Sequence, residues 1–186
     1  MAPTSFLAAL HTAVTGLRAT VQEQFAPLGL ALLNQRPSPS SWSMLECLEH
    51  LNRYSRYYNP ALGKAIANSQ PARPAEVAYS WLGRKSVNLM RPDNATKQTT
   101  LKRMNPLGSH LGWKTLAEFD QHQSGLLELL ALAQTADLNR KAVPVEFFRL
   151  LKLRLGEALE FVVVHQQRHV QQAQRVQHGL RAERAR

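Results

Sequence analysis

Four long segments of the sequence repeat apolar residues at steps of three and four, which is the period of an amphipathic α-helix. The segments run from about residue 5 to 33, 43 to 67, 113 to 136 and 156 to 178. No segment shows the two-residue alternation of a strand over a comparable length. Pro and Gly residues mark the connections between the four segments. The chain is therefore predicted to be an all-α bundle of four principal helices.

A long connection, about residues 70–112, separates the second and third principal helices and is rich in Pro, Asn and Thr. We expect at most one short helix in it, near Glu76–Met90. A connection of this length inside a compact domain usually has a function of its own. The second principal helix, in contrast, has a sharp start, because Ser43 and Glu46 have the spacing of a capping box.

The formal net charge of +10 arises from 23 Lys and Arg against 13 Asp and Glu. Such an excess favours nucleic-acid binding when the cations cluster beside a recognition motif. Residues 71–115 carry 8 basic and 2 acidic side chains, so most of the excess lies in the long connection. No recognition helix or RNA-binding motif accompanies these cations. The charge distribution therefore argues against specific nucleic-acid binding and favours a solvated basic loop.

The length of 186 residues is typical of one domain and allows a core without a disulfide or a structural metal. We expect a single domain over residues 1–186, with its core at about 5–178. The single cysteine, Cys47, excludes an internal disulfide. No apolar run reaches the length of a membrane span, and the first residues lack the basic start of a signal peptide. These features predict a cytoplasmic protein that does not associate with a membrane.

Two histidines, His165 and His169, lie four residues apart on the fourth principal helix and so share one face. That face is otherwise apolar or neutral and includes Gln172, which predicts that it points into the bundle. Two imidazoles at this spacing can chelate one divalent ion, and they can equally form a buried hydrogen-bonded pair without an ion. A metal site needs a third ligand from another helix. His50, on the inward stripe of the second helix, is the best candidate.

The neighbours of these histidines allow two interpretations each. Glu46, one turn before His50, either orients its imidazole or serves only as the partner of Ser43 in the capping box. Arg168 either holds an acidic group of a substrate or forms a surface or interhelix ion pair. Cys47 lies three residues before His50, and a small core residue is the simpler interpretation of it.

Two strings of the sequence resemble motifs of the DinB-like superfamily. Trp42–Leu51 contains a Trp-Ser, a Glu and a His-Leu in the order of the first motif. His165–Ala173 is similar to the closing motif, with Arg before the second His and Gln three residues after it. A looser similarity covers Trp81–Lys85 and the basic connection after it, which resemble one branch of the superfamily. The resemblance covers most of residues 5–178, and only the two histidine motifs are specific.

This resemblance implies a four-helix bundle with a long crossover between the second and third principal helices. It also implies that His50, His165 and His169 meet around a divalent metal ion such as zinc or nickel, and that the chain forms a homodimer, as many relatives do. Characterised relatives include transferases and isomerases that use bacillithiol or mycothiol, and others are described as metal-dependent hydrolases.

An ion held by three neutral imidazoles keeps an open position, where it can activate water or a thiol. We therefore expect a metal-dependent enzyme, a thiol transferase or a hydrolase, that acts on a small electrophilic substrate. Glu46, Arg168 and Gln172 are the candidate supporting residues, and a low-molecular-weight thiol is the candidate cofactor.

Two other classes of function stay open at this stage. One is a nucleic-acid-binding protein, which the charge distribution argues against. The other is a non-catalytic interaction protein that dimerises through apolar residues on more than one side of the third principal helix, namely Leu126, Leu127, Leu129, Leu130 and Leu132.

Overall fold

The computed structural model describes residues 1–72, 75–94, 96, 99–146 and 148–184. The helices are α1 (Pro3–Thr20), α2 (Leu30–Leu33), α3 (Met44–Ala67), α4 (Trp81–Met90), α5 (Trp113–Leu132) and α6 (Leu155–Arg184). The strands are β1 (Lys141–Val145) and β2 (Phe148–Arg154). None of the described helices is long and apolar enough to cross a lipid bilayer.

Four of these helices, α1, α3, α5 and α6, form the predicted bundle. Helix α3 packs against α5 and α6, and α1 packs against the same two helices. The connection from α3 to α5 contains α4, which packs on α6, and a single 3₁₀ turn at Lys102–Met104. The all-α fold with a long crossover between the second and third principal helices is thus confirmed.

The first principal helix is interrupted where the sequence places Pro27 and Gly29. Helix α1 passes into a π-helical turn at Val21–Phe25, and the short α2 begins directly after Gly29. A proline lacks the amide hydrogen that a continuous helix needs, which explains the break. The helix expected near Glu76–Met90 starts later, at Trp81, where the Ser80 side chain accepts the Gly83 amide hydrogen at 3.0 Å.

The sequence analysis did not predict the hairpin of β1 and β2, which is antiparallel and leads directly into α6. Val143, Val145 and Leu153 face the core and are nearly inaccessible to solvent. The strands contain 5 and 7 residues, so the alternation of buried and exposed positions is short beside the long helical patterns. Pro144 further hides the pattern, because a proline argues against a strand unless it lies in an edge or a bulge. The ladder has a register shift at Pro144.

The apolar core falls into two clusters along the bundle. On α6 the first cluster ends at Val164 and the second begins at Val170. On α3 the corresponding break lies between Leu51 and Tyr58. Buried polar side chains occupy the positions between the clusters, namely Asn52, Ser55, Gln123, His165 and Gln166. The two histidine motifs therefore lie where the apolar packing of the bundle is interrupted.

Arginines of the long basic connection form ion pairs with the rest of the chain. Arg91 pairs with Glu160 at 3.2 Å, and Arg103 pairs with Glu146 at 2.6 Å. Arg73, Lys97 and three of their neighbours lie outside the described residues. Arg91 and Arg103 thus attach the crossover to α6 and to the hairpin turn.

The leucine-rich helix α5 packs mostly within its own chain. Leu126 and Leu130 are buried in the first core cluster, and Leu127 and Leu129 pack against the same cluster. Leu132, at the end of the helix, is 59% exposed. The leucines that suggested a dimer face are therefore largely used by the intramolecular core.

Candidate metal centre

The three histidines of the predicted site are brought together by two neighbouring helices. His50 is on α3, which begins with the predicted capping box: Ser43 Oγ accepts the Glu46 amide hydrogen at 3.1 Å, and the Glu46 carboxylate accepts the Ser43 amide hydrogen at 2.7 Å. His165 and His169 lie one turn apart on α6. Because α3 packs against α6, all three rings meet near one point.

The spacing of the ring nitrogens fits the dimensions of a metal site. One ligand atom from each histidine lies within 4.8 Å of the other two. His50 Nε2 and His165 Nε2 are 3.2 Å apart. Two nitrogens on one tetrahedral Zn²⁺ ion, each about 2.05 Å from the metal, are separated by about 3.3 Å. The donor set could therefore hold a divalent ion.

Two of the imidazoles are held in a defined orientation by a carbonyl oxygen. His50 Nδ1 lies 2.7 Å from the backbone oxygen of Met104, and His169 Nδ1 lies 2.9 Å from the side-chain oxygen of Gln172. A carbonyl oxygen only accepts hydrogen bonds, so Nδ1 is the donor in both rings and Nε2 keeps its lone pair. Partners of this kind fix the tautomer of histidine ligands in metalloproteins. The supporting role expected for Gln172 thus has a geometric basis.

Burial keeps the imidazoles neutral. Desolvation lowers the pKa of His50 to about 4 and the pKa of His169 to about 3. Desolvation, followed by the charges of the other two rings, lowers the pKa of His165 well below its usual range. A metal ligand must offer a free lone pair, so protons compete weakly for these three sites at neutral pH.

The segment that carries the Met104 carbonyl is anchored to α3. Glu46 uses its second carboxylate oxygen to accept the Gly108 amide hydrogen at 2.5 Å. Arg53 donates to the carbonyl oxygen of Asn105 at 3.0 Å. Of the two roles open for Glu46, the structure shows the helix cap, and Met104 is the group that orients the His50 ring. Glu46 therefore supports the site indirectly, by holding the loop that supplies this carbonyl.

Aromatic side chains surround the three histidines. The Tyr54 ring centroid lies 4.9 Å from that of His50 and 4.5 Å from that of His165. Trp42 approaches His50 at 4.7 Å, and Phe161 stacks on His165 at 5.9 Å. These rings form apolar walls around the ring nitrogens and reduce their contact with water.

The side chains of the site differ in their exposure to solvent. His50 is 2% exposed and His165 is 4% exposed, whereas His169, Trp42 and Tyr54 are partly exposed. A small molecule would therefore approach the imidazoles past these three side chains.

Arg168 binds the backbone of the crossover. Its guanidinium donates to the backbone oxygens of Leu89, Arg91, Asn94 and Thr96, at distances from 2.8 to 3.4 Å. It forms no ion pair among the described residues, and its donors are directed at the end of α4. Arg168 therefore ties the crossover to the α6 turn that carries the histidines.

The other candidate residues do not join the site. Cys47 is fully buried in the second core cluster, and burial raises the pKa of its thiol, as expected for a small core residue. His11, His110 and His178 are exposed. His122 lies beside Glu118 on α5, at 3.3 Å.

Sequence reasoning missed two groups of the site. Tyr54 follows His50 by four residues and shares its inward face, but a position on the apolar stripe does not by itself indicate a role at the site. The Met104 carbonyl has no signal in the sequence, since every residue carries a backbone oxygen.

The comparisons with known proteins identify a family and nothing narrower. A model of the DinB superfamily matches residues 13–173. No curated protein and no solved structure matches the chain.

Proposed function

Because the chain belongs to the DinB superfamily, we propose that it binds a divalent metal ion through His50, His165 and His169 and uses this ion in catalysis. The proposed reaction adds an external nucleophile, a low-molecular-weight thiol or water, to a small electrophilic substrate. The enzyme would then be a thiol transferase or a hydrolase.

The observation that carries this proposal is the direction of the lone pairs. The Met104 carbonyl and Gln172 each accept the Nδ1 hydrogen of one ring, so Nε2 of His50 and of His169 carries a lone pair that can coordinate an ion. His50 Nε2 and His165 Nε2, 3.2 Å apart, are close enough either for a hydrogen bond or for two ligands of one ion, and metal analysis distinguishes the two arrangements. Three neutral nitrogen donors without a carboxylate or thiolate suit zinc, nickel, copper or iron.

A divalent ion in such a site lowers the pKa of water or of a thiol that binds to it. Among the described residues no thiol is available there as a nucleophile, because the Cys47 thiol is enclosed in the core and its pKa is raised by burial. Tyr54 is suited to a different task. Burial raises its pKa to about 12, so its hydroxyl stays protonated and can donate a hydrogen bond to a substrate beside His165.

Metal analysis of untagged protein tests the binding part of the proposal. The wild type, stripped with a chelator and reloaded, is expected to retain about one ion per chain after dialysis. The variant with alanine at positions 50, 165 and 169 is expected to retain none, and His178→Ala, at an exposed position of the same helix, is the matched control. A wild type that retains no ion after reconstitution would exclude the proposed site.

A screen of metal-loaded protein tests the catalytic part. Each electrophile is offered with water alone and with small thiols, so the two nucleophiles are distinguished by the product formed. Activity must depend on the metal and must fall in Tyr54→Phe while metal content stays unchanged. Bound metal with no turnover across the screen would contradict the enzymatic proposal and leave the metal site in place.

A further inference from the structure

A cavity lies away from the histidines, between the start of α1, α4 and α6. Its volume is about 440 Å³, which is within the usual range of ligand pockets. Glu160 lines it from α6, five residues before His165. Five residues correspond to about 140° around a helix, so the cavity and the metal centre use different sides of α6. Nothing in the proposed function requires this cavity.

One wall of the cavity is apolar. It is lined by four buried members of the first core cluster, Phe6 and Leu10 of α1 and Val77 and Val87 of the crossover. The edges of these side chains that reach the cavity can contact the hydrocarbon part of a ligand. Burial of such apolar area is the main source of affinity in pockets of this kind.

The polar wall of the cavity carries an excess of positive charge. The two oxygens of the Glu160 carboxylate are already used, one by the Tyr79 hydroxyl and the other by Arg91 at 3.2 Å. Arg84 also lines the cavity and is exposed, and its guanidinium has no hydrogen-bond or ion-pair partner among the described residues. Within the described part of the chain, the wall therefore offers one unpaired cation, Arg84, and no unpaired anion.

The remaining charge near the cavity does not change this balance. Met1 also lines the cavity, and its ammonium group pairs with the Glu76 carboxylate at 3.2 Å. A cationic ligand would have to displace Arg91 from Glu160, whereas an anionic ligand meets Arg84 directly. Arginine holds carboxylates through two parallel hydrogen bonds, which adds geometric selectivity to the charge.

We propose that this cavity binds a small amphiphilic carboxylate, whose anionic group pairs with Arg84 and whose hydrocarbon part packs on the apolar wall. The ligand class follows from the juxtaposition of an unpaired arginine and an apolar wall in one cavity of adequate size.

Octanoate is the probe for the test, and octylammonium, with the same hydrocarbon chain and the opposite charge, is the matched ligand control. Binding is followed by calorimetry and by amide shifts in residues 6–10 and 84–91 of isotope-labelled protein. The full chain is used after removal of metal, so that a carboxylate cannot bind to an ion at the histidines. The outcome is therefore independent of the proposed function.

The wild type is expected to bind octanoate with a Kd on the order of 1 mM. Arg84→Gln should weaken binding about tenfold, because a charge-assisted pair is lost. Lys85→Gln removes the same charge from the next residue of α4, outside the cavity, and should bind as the wild type does. Ala9→Phe, at an exposed position of the cavity wall, should also reduce binding by occupying part of the volume.

Three results would each overturn the proposal. They are the absence of saturable octanoate binding to the wild type, equal affinities for octanoate and octylammonium, and equal octanoate affinities of the Arg84→Gln and Lys85→Gln variants.

Discussion

The stability of the metal-free protein is expected to depend on pH through the buried histidines, and His169→Gln isolates the effect of one ring. In the folded chain burial lowers the pKa of His169 from 6.5 to about 3. In the unfolded chain the imidazole regains the ordinary value. Between these two values the unfolded state binds more protons, so the free energy of unfolding must fall as the pH falls.

The magnitude follows from the distance between the working pH and the two pKa values. At pH 7.5 the imidazole is neutral in both states and contributes almost nothing. A pH of 5.0 is about 1.5 units below the pKa of the unfolded state and still above that of the folded state. The free energy of unfolding is therefore lower by about 2 kcal/mol than at pH 7.5. His50, with a folded pKa of about 4, is expected to contribute a similar amount at this pH. The free energy of unfolding of an ordinary domain is about 5–15 kcal/mol, so a loss of this size is substantial.

Urea denaturation at pH 7.5 and pH 5.0, in the presence of a chelator, measures the effect. From pH 7.5 to pH 5.0 the free energy of unfolding should fall by about 2 kcal/mol more in the wild type than in His169→Gln, because the variant lacks one of the titrating rings. His178→Gln, which replaces an exposed histidine of the same helix, should behave like the wild type. Equal losses in the wild type and in His169→Gln would refute the argument that the fold holds this imidazole neutral.

Three further predictions concern residues around the site. Gly83→Ala should lower the free energy of unfolding by about 1–3 kcal/mol in urea titrations, because a Cβ there would overlap the Glu157 carboxylate, which is buried and held by the backbone amides of Ser80 and Arg154. Gly179→Ala, with open space around it, should not destabilise the protein, and equal stabilities of the two variants would contradict the argument that the Glu157 carboxylate is held in place. Arg168→Gln removes hydrogen bonds to four carbonyl oxygens of the crossover, so hydrogen exchange of the backbone amides at residues 89–94 and 96 should become faster. Unchanged exchange would show that these bonds do not restrain this part of the crossover. Cys47 is fully buried and should not react with a thiol reagent until the chain is unfolded; rapid labelling of the native protein would show that the core opens there.

Much of the helical architecture could be predicted because its signal is local. The apolar period of α5 and α6 extends over several turns, and a long pattern of one period is hard to mistake. The start of α3 was visible for the same reason, since Ser43 and Glu46 satisfy amide hydrogens only three residues away. The break ahead of α2 also has a local cause, since Pro27 changes the backbone at its own position.

The hairpin and the contacts of Arg168 could not be predicted in the same way. Each strand is short, and Val143 and Val145 become core residues only because the hairpin packs against the bundle. The partners of Arg168 are backbone oxygens more than seventy positions away in the sequence. A guanidinium accepts any cluster of carbonyl oxygens, so the residue type does not reveal which one it meets.

The sequence by itself determined the set of three histidines and their helices. The four-residue step between His165 and His169 places them on one face of any helix, and the motif around His50 supplied the third ring. Only the tertiary structure decided the state of these rings. The Met104 carbonyl reaches His50 from a distant loop, and burial between α3 and α6 keeps the imidazoles neutral. Helical spacing is a local property of the backbone, whereas desolvation depends on every segment that packs around a group, and this is why only the folded chain reveals it.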